Sequence, residues 1–582
     1  MQPKRNDVRR PMLAAHAAVA ALWLLVLATT LLAKGVFVEY YFHDMLFVFD
    51  SAWRAGSGQV PHVDYPSPIG QAFYWPFEFL GLLGGQGAKT VLHADLVVAA
   101  TVAFGAALAL PRRLSPFLFL LAAASLIGTA VAAGGPDGRW SFDFLAPYNR
   151  WGWPILSLVA LIALLPPERE EARGWLVDGI TLGIGLGLLA YLKVTYVAGA
   201  AGVVAFAVLT RRLGWPTLRA AAATAALLAA AIELRFGNSL AYAGDVLSAI
   251  RVAADRPDTD LRLVKLGKTA PVAALYLAAV LGLTWLWRPT RSPALWWRTW
   301  RGPLASCLAA ILCGLFVAYQ NHNGYDPPLY VAAVLICAEH GRRLAAASGV
   351  TEAIRPPAPW AEPWRRAALW LGIVLSAASV TVLDLASTVR HALATRGTGL
   401  CPIPALAGTP LADFLQTPLG IEEGLTGVPS SKPCGALEPT GADYVVAREV
   451  PYYDTTVPIL SQALMLLRAE AGPDDRILTF QFSNLFSAAT RTRPVRGAFT
   501  WWHEGRTYSA RTHPDANALL SSATLVLQST APGTRNDLGE PLWAIYGRAV
   551  QARFTPVARN RNWTLWRRND TLAAMRAPST AG

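Results

Sequence analysis

One acidic residue of this sequence lies in an apolar setting. A carboxylate there costs free energy unless it has a function or a polar partner. Asp44 follows a long apolar stretch near the N-terminus and lies among apolar and aromatic residues of the run 39–54. A carboxylate at the surface of an apolar layer in such a setting favours a functional role. The alternative is an N-cap, because Asp44 precedes an apolar helix and its oxygens suit backbone N–H groups. Spacing alone gives the two interpretations about equal weight.

A second group of polar side chains lies among aromatic residues in the segment 140–151. It contains Asp143, Asn149 and Arg150 between tryptophans, phenylalanines and a tyrosine. Flat apolar faces of sugar rings stack on such aromatic groups, while acid, amide and guanidinium groups address hydroxyls. The alternative is an aromatic belt at a membrane interface with an Asp143–Arg150 ion pair.

Two further polar positions lie at the ends of apolar runs. Lys193 ends a glycine-rich apolar segment, and its side chain suits either a ligand or the membrane surface. His322 lies in the segment 321–327, whose Asn-Gly and Asp-Pro pairs favour a turn. A purely structural role would therefore also explain this segment. A divalent cation held by Asp44, Asp143 or His322 is conceivable, but their spacing is not diagnostic. We therefore expect no cofactor.

These residues are positioned by apolar runs of the sequence. The runs are long enough to cross a bilayer, since a span needs roughly 17–25 residues. We expect a mainly helical, polytopic membrane bundle of about 11 spans over residues 1–389. The first run follows four basic residues and is too long for a signal peptide, so it predicts a signal anchor. The predicted spans lie near 12–33, 88–110, 115–134, 153–166, 176–192, 194–210, 217–234, 270–287, 302–319, 328–347 and 366–386.

Arginine pairs between the spans set the expected orientation, since inner loops are rich in Lys and Arg. With a cytoplasmic N-terminus, the inner loops hold the arginine pairs and the outer loops hold most of the membrane-region carboxylates. The loop 235–268 also carries several basic residues and fits this pattern less well. An odd number of spans places the tail outside. We expect a bacterial inner membrane, with the tail in the periplasm.

The first outer loop, 34–87, is long and apolar. Its segments 44–54 and 70–83 predict short helices in the membrane interface, where aromatic rings favour the headgroup level. The tail, 390–582, is polar and alternates strand-like and helix-like runs, which predicts a small α/β domain. Cys401 and Cys434 lie in the tail and permit a disulfide in an oxidising compartment, with two unpaired thiols as the alternative.

The composition narrows the class of protein. The chain has 582 residues, of which 53% are hydrophobic and only 15% are charged. These values exclude disorder, a basic nucleic-acid-binding domain and an ordinary cytosolic enzyme as accounts of the whole chain. The net charge of +13 is largely arginine of the predicted inner loops, with further basic residues in the tail. We therefore expect no nucleic-acid partner.

The first outer loop resembles that of GT-C-fold glycosyltransferases of the aminoarabinose-transferase and protein-O-mannosyltransferase type. The resemblance rests on Asp44 after the first span, the Trp53-Arg54 pair, a glycine turn and the Pro61-x-x-Asp64-Tyr65 stretch. The glycine-rich segment 185–195, which contains Lys193, also looks like part of this family. Where the family has an Asp-Glu pair, this chain has Asp44-Met45, so Asp50 or Asp143 takes the place of the second acid, or nothing does.

The resemblance implies transfer of a sugar from a polyprenyl-phosphate donor to an acceptor on the outer face. Asp44 matches the family's catalytic base, and one base suffices because a phosphate leaving group needs no protonation. The implied substrate contacts are Asp50, Arg54, Tyr65, Asp143, Arg150, Lys193 and His322; Arg235 is a further cation near the outer face. The acceptor is a lipid, a glycan or a protein, and membrane lipids surround the bundle.

Two alternatives belong to other classes of protein. A transporter or flippase for a lipid-linked saccharide commonly carries inverted repeats and charges at the membrane midplane. This sequence shows no repeat, and its carboxylates gather at one face. The other alternative is a non-catalytic scaffold whose outer domain binds cell-envelope partners.

Overall fold

A computed structural model describes most of the chain. The described residues are 5–38, 42–85, 87–135, 138–142, 146–168, 172–255, 259–287, 292–321, 328–348, 372–373, 378–397, 400–403, 406–416, 452–530 and 539–576. The protein is mainly helical, with a smaller sheet region in its C-terminal part. This agrees with the expected fold class.

Helices occupy the predicted spans from 12–33 to 328–347. Residues 366–386 lie largely outside the described residues, and a helix begins near their end, at Ser379. The helices of this region are α1 (Arg5–Leu32), α2 (Phe42–Gly56), α3 (Gln71–Leu82), α4 (Thr90–Ala109), α5 (Pro116–Val131), α6 (Pro147–Leu164), α7 (Gly174–Leu192), α8 (Val194–Leu209), α9 (Trp215–Phe236), α10 (Ser239–Asp255), α11 (Thr259–Leu286), α12 (Pro293–Gln320), α13 (Pro328–Ser348) and α14 (Ser379–Ala394).

Six helices in the described part of the chain are long and apolar enough to cross a membrane. They lie within α1, α4, α7, α9, α11 and α12, and α5 and α8 are shorter apolar helices. Helix α6 is buried along almost its whole length, so it forms the centre of the bundle. The protein is therefore built as a membrane protein, with the peripheral helices exposing apolar side chains.

Glycines of α7 let α9 pack against it at short range. A Cβ atom at Gly183 would lie 2.4 Å from the carbonyl oxygen of Ala221, and one at Gly187 would lie 2.6 Å from Leu228. Gly179, one turn earlier, meets Ala220 in the same way. Small residues at every fourth position are the usual means of close helix packing in membranes. The glycine-rich pattern thus positions α7 and the Lys193 that follows it.

Buried ion pairs join the helix ends at the predicted cytoplasmic face. Nη1 and Nη2 of Arg113 each donate at 2.8 Å to the carboxylate of Asp178, near the start of α7, and Arg112 contacts the same carboxylate. Glu339 of α13 pairs with Arg342 and Arg343. Buried charges need such partners, so these arginines fix the ends of the bundle.

A small sheet holds the first outer loop at both of its ends. Strand β1 (Val36–Phe37) pairs in parallel with β5 (Phe414–Gln416), which pairs antiparallel with β4 (Cys401–Pro402). Asp413 also accepts the backbone N–H groups of Ala88 and Lys89, just before α4, at 2.8 and 3.1 Å. A second hairpin joins β2 (Gly134–Gly135) to β3 (Gly138–Phe142).

The C-terminal part contains a mixed five-stranded sheet with the order β7-β6-β8-β10-β9. Strand β6 runs parallel to β7 and β8, and β10 runs antiparallel to β8 and β9. The elements are α15 (Tyr452–Glu470), β6 (Arg476–Thr479), α16 (Phe486–Thr490), β7 (Arg493–Pro494), α17 (Ala516–Ser521), β8 (Leu525–Ser529), α18 (Gly539–Arg553), β9 (Phe554–Arg559), β10 (Trp563–Arg568) and α19 (Asn569–Arg576). Helices and sheet alternate here, as the sequence pattern indicates.

Three of the five cysteines lie in the helical bundle. Cys307 and Cys337 are buried in the bundle and Cys313 is half-buried, and all three are free thiols. They act as packing residues of α12 and α13. Cys434 and the side chain of Cys401 lie outside the described residues, so their disulfide stays a prediction.

Candidate functional site at the outer face

Asp44 lies in the first turn of α2, because this helix begins at Phe42. The first turn of a helix has backbone N–H groups without helical partners, so both the capping and the functional interpretation of Asp44 stay predictions. The side chain of Asp44 lies outside the described part of the chain. On the backbone, position 44 shares a helix face with Phe47, one turn later.

The ring of Phe47 reaches an aromatic cluster that joins three parts of the chain. Its centroid lies 5.0 Å from that of Trp501 and 6.1 Å from that of Tyr148 at the start of α6. Tyr148 and Trp501 are stacked at 6.5 Å with an angle of 18° between their planes. The C-terminal part therefore contributes a tryptophan directly beside the segment that carries Asp44, which the sequence pattern did not reveal.

Lys193 stands at the edge of this cluster. The chain breaks its helical course there, between α7 and α8, with an extended φ of −165°. The Nζ atom donates a hydrogen bond of 3.0 Å to Oδ1 of Asn149 and lies 4.8 Å above the ring of Tyr148. Asn149 is buried and its carbonyl accepts from the hydroxyl of Tyr196. The structure thus places a cation at the α7–α8 junction, beside the aromatic cluster.

A buried acid that sequence reasoning missed lies next to this group. Oδ1 of Asp95, near the outer end of α4, accepts the indole N–H of Trp151 at 2.7 Å. Oδ2 of Asp95 lies 3.4 Å from a guanidinium nitrogen of Arg150. The signal was available, because a carboxylate inside an apolar span is rare and needs a partner. Arg150 is therefore held by Asp95 in the described structure.

Asp50, Arg54 and Tyr65 form a buried group that joins the first outer loop to the C-terminal part. Nε of Arg54 donates to Asp50 at 2.8 Å, and Nη1 donates to the carbonyl of Val495 at 2.7 Å. The guanidinium lies 4.8 Å from the ring centre of Tyr65. Gln59 completes the junction, because its side chain bridges Arg54 and the carbonyl of Pro494.

Burial determines the protonation of this group. It raises the pKa of Asp50 to about 6, and the attraction of Arg54 only partly offsets this rise. Burial also raises the pKa of Tyr65 well above its usual value. These residues lie close together, but their described contacts are with protein groups, so their substrate contacts stay predictions.

An apolar cavity of about 890 Å³ lies between the interfacial helix α3 and the membrane helices α4, α6, α7 and α9. We call it the groove. It reaches the protein surface, because Phe79, Leu82 and Ile184 line it and are exposed. Its lining contains two charged residues, Glu78 of α3 and Arg235 in the last turn of α9.

A chain of hydrogen bonds closes the polar end of the groove. Glu78 accepts from Gln71 at 2.8 Å, and Gln71 accepts from Asn238 at 2.8 Å. Asn238 also donates to the carbonyl of Pro61 at 3.2 Å. Burial raises the pKa of Glu78, while the hydrogen bond from Gln71 and the nearby charge of Arg235 lower it. The loop, α3 and the α9–α10 junction are thereby held together at this end.

Two predicted site residues and the proposed metal cannot be placed. Asp143 and His322 lie outside the described residues. Within the described ranges, no group of three or more His, Cys, Asp or Glu side chains is arranged to hold a metal ion. The dependence on a divalent cation therefore stays open.

Comparisons with known proteins give one weak structural likeness to report. No family model and no curated protein matches the chain. It is similar to the crystal structure of the Archaeoglobus fulgidus oligosaccharyltransferase in complex with zinc and sulfate, with a TM-score of 0.34 and 12% identity, over 88% of this chain and 68% of that one. At this TM-score and identity the likeness carries no argument about the residues or activity of this chain.

Proposed function

We propose that this protein is a membrane glycosyltransferase that moves a sugar from a polyprenyl-phosphate donor to an acceptor on the outer face. The groove carries the proposal. Its apolar lining suits an isoprenoid chain, and its charged end suits a phosphate. The groove is lined by positions 184, 188 and 192 of α7 and by positions 228 and 235 of α9. At 1.5 Å per residue, the part of each helix that lines it is roughly 10–12 Å long.

The groove leads to the residues proposed for chemistry. Trp151 lines the groove and also donates to Asp95, beside Arg150. Lys193 follows directly on Leu192, the last groove residue of α7. A lipid tail in the groove would therefore present its phosphate near Lys193 and Arg235. Charge-assisted hydrogen bonds from such groups stabilise the phosphate as it leaves.

The proposed step is an inverting displacement. The acceptor hydroxyl or amine attacks the anomeric carbon as its proton passes to the Asp44 carboxylate, and the bond from that carbon to the phosphate oxygen breaks. The phosphate keeps the electron pair and needs no proton, so a second acid is not required, unlike in glycosidases. One positioned base contributes typically about 10²–10⁴-fold to the rate. Asp143, Arg150 and His322 are further proposed substrate contacts.

Lipid analysis of a deletion strain tests the proposal. Loss of the protein should leave the acceptor without one sugar and should raise the level of the polyprenyl-phosphate-linked sugar, both measured by mass spectrometry of cell extracts. An intact glycosylated product stranded on the inner leaflet would instead support a transporter. An unchanged acceptor and donor would contradict transfer and support the scaffold interpretation.

A further inference from the structure

A second, polar cavity of about 190 Å³ lies apart from the groove, where α10 and the first outer loop meet the segment 499–514. We call it the polar cavity. Three parts of the chain line it. Pro66 comes from the first outer loop, Asp245 and Ser248 come from α10, and Phe499 and Arg506 come from the segment 499–514.

The carboxylate of Asp245 is fixed in place by its own partners. Its Oδ2 atom accepts from Nδ1 of His62 at 2.8 Å and from the backbone N–H of Ser67 at 2.9 Å. The side chain of His62 is fully buried and packs on the ring of Tyr242 at 4.8 Å. The Oδ1 atom of Asp245 receives no hydrogen bond from the described residues, and the side chain is 21% exposed.

Arg506, from the segment 499–514, contributes a cation to the lining of the cavity. Within the part of the chain that the structure describes, the Arg506 guanidinium takes part in no ion pair or hydrogen bond, and the residue is half-buried. Asp255 ties α10 to this segment, because it accepts from Ser509 at 2.6 Å and from Thr512 at 2.9 Å. An acceptor and a donor group thus line one cavity from parts of the chain that are fixed relative to each other.

The size and chemistry of the cavity select the ligand. Its volume is below the roughly 300–1,000 Å³ of drug-sized pockets and equals about six waters at roughly 30 Å³ each. A carboxylate oxygen accepts from hydroxyls, a guanidinium donates to them, and an aromatic or proline face covers C–H groups. A lone carboxylate is too few ligands for a hard cation, and Asp245 disfavours a simple anion.

We propose that the polar cavity binds one sugar ring of a glycan acceptor. The role of this glycan as the acceptor rests on the proposed function. Phe499 lines the cavity, and Trp501, two residues later, contacts Phe47 next to the proposed catalytic centre. The segment that lines the cavity therefore also packs against α2, the helix that carries Asp44.

Saturation-transfer NMR on the full chain in lipid nanodiscs, free of sugar-based detergents, tests this site. The probes are methyl α-glucopyranoside, methyl β-galactopyranoside and the methyl glycoside of N-acetylglucosamine at millimolar concentration. At least one should receive saturation from the wild-type protein. Arg506→Gln and the cavity-filling Ala249→Phe should each lower that signal at least fivefold.

Matched controls come from the same elements. Ala253→Phe lies on the exposed face of α10 and Arg511→Gln lies on the exposed part of the same segment, so both should keep the signal. Absence of any probe signal in the wild type, or equal signals in Arg506→Gln and Arg511→Gln, would overturn the site. Asp44→Asn should bind the probe normally. Probe binding by a wild-type protein that transfers no sugar would refute the proposed function and leave the cavity assignment standing.

Discussion

At the scale of single residues, one acid of the first outer loop and one acid of α4 form buried pairs. Asp50 pairs with Arg54, and Asp95 holds Arg150 and Trp151. The family resemblance implied Asp50 and Arg54 as substrate contacts, and Arg150 was also a candidate because it lies among aromatic residues. It could not supply their partners, since Val495 and Asp95 lie 441 and 55 residues away along the chain.

The Asp50–Arg54 pair gives a prediction about stability. Arg54→Met leaves a buried carboxylate without its cation and should lower the free energy of unfolding by about 3–5 kcal/mol. The double variant Asp50→Leu/Arg54→Met removes both charges and should recover much of that loss. Thermal unfolding in detergent measures both. A double variant no more stable than Arg54→Met would contradict the assignment.

The same pair gives a prediction about pH. Burial holds the pKa of Asp50 at about 6, above its ordinary value, so protonation favours the folded state. That contribution is complete below the ordinary pKa and is lost as pH rises through about 6. Arg54→Met removes a group that lowers this pKa, so its stability deficit should shrink from pH 7.5 to pH 5. A deficit that grows on acidification, in the same unfolding assay, would contradict the prediction.

At the scale of elements, the sequence predicted the helices well because apolar runs and their glycines are local signals. It indicated the interfacial helices at 44–54 and 70–83, which the structure has as α2 and α3. It did not indicate the groove, because the lining of the groove comes from helices that are distant in sequence. The β1–β5 pairing was missed for the same reason, since its strands are two and three residues long.

Gly70 tests how the loop is positioned on the bundle. Its N–H donates to the carbonyl of Leu192 at 3.1 Å, and a Cβ atom there would lie 2.2 Å from the carbonyl oxygen of Tyr191. Gly70→Ala should therefore push α3 away from the end of α7, lower stability by about 1–3 kcal/mol and reduce transfer by displacing Lys193. Gly202→Ala, with nothing within 4 Å, is the control. Equal unfolding temperatures for the two variants would argue against this contact.

The groove gives a second prediction at this scale. Ile184 and Ile180 lie one turn apart on α7 and are both 40% exposed, but only Ile184 lines the groove. Ile184→Trp should reduce binding of a C55 polyprenyl phosphate at least several-fold, whereas Ile180→Trp should not. Native mass spectrometry of the purified protein with the added lipid measures the bound fraction. Equal loss in both variants would count against the groove as the lipid site.

At the scale of the whole molecule, the arginine pattern predicts one orientation. The cluster around Asp178 and Glu339 marks the predicted cytoplasmic end, and the sheet region lies at the other end, with the first outer loop. Composition alone suggested this layout, because the membrane helices and the polar tail differ strongly in hydrophobicity. It gave no view of how the tail contributes Trp501 to the site, which depends on the tertiary packing.

Orientation is tested by labelling. In a background with Cys401 and Cys434 replaced by Ser, Ala510→Cys should react with a membrane-impermeant maleimide on intact cells stripped of their outer layer. Arg173→Cys, exposed between α6 and α7, should react only after the membrane is permeabilised. The reverse pattern would invert the topology and remove Asp44 from the outer face.

The central claim is that Asp44 is the base of a sugar transfer at the outer face. The most direct measurement is the rate of sugar transfer to the acceptor, by mass spectrometry, in a deletion strain that expresses Asp44→Asn at the wild-type level in the membrane. We expect the rate to fall by at least about 10²-fold, with C55 polyprenyl phosphate still bound. The exposed-carboxylate control Asp474→Asn should restore full transfer. Near-full transfer by Asp44→Asn would contradict the account.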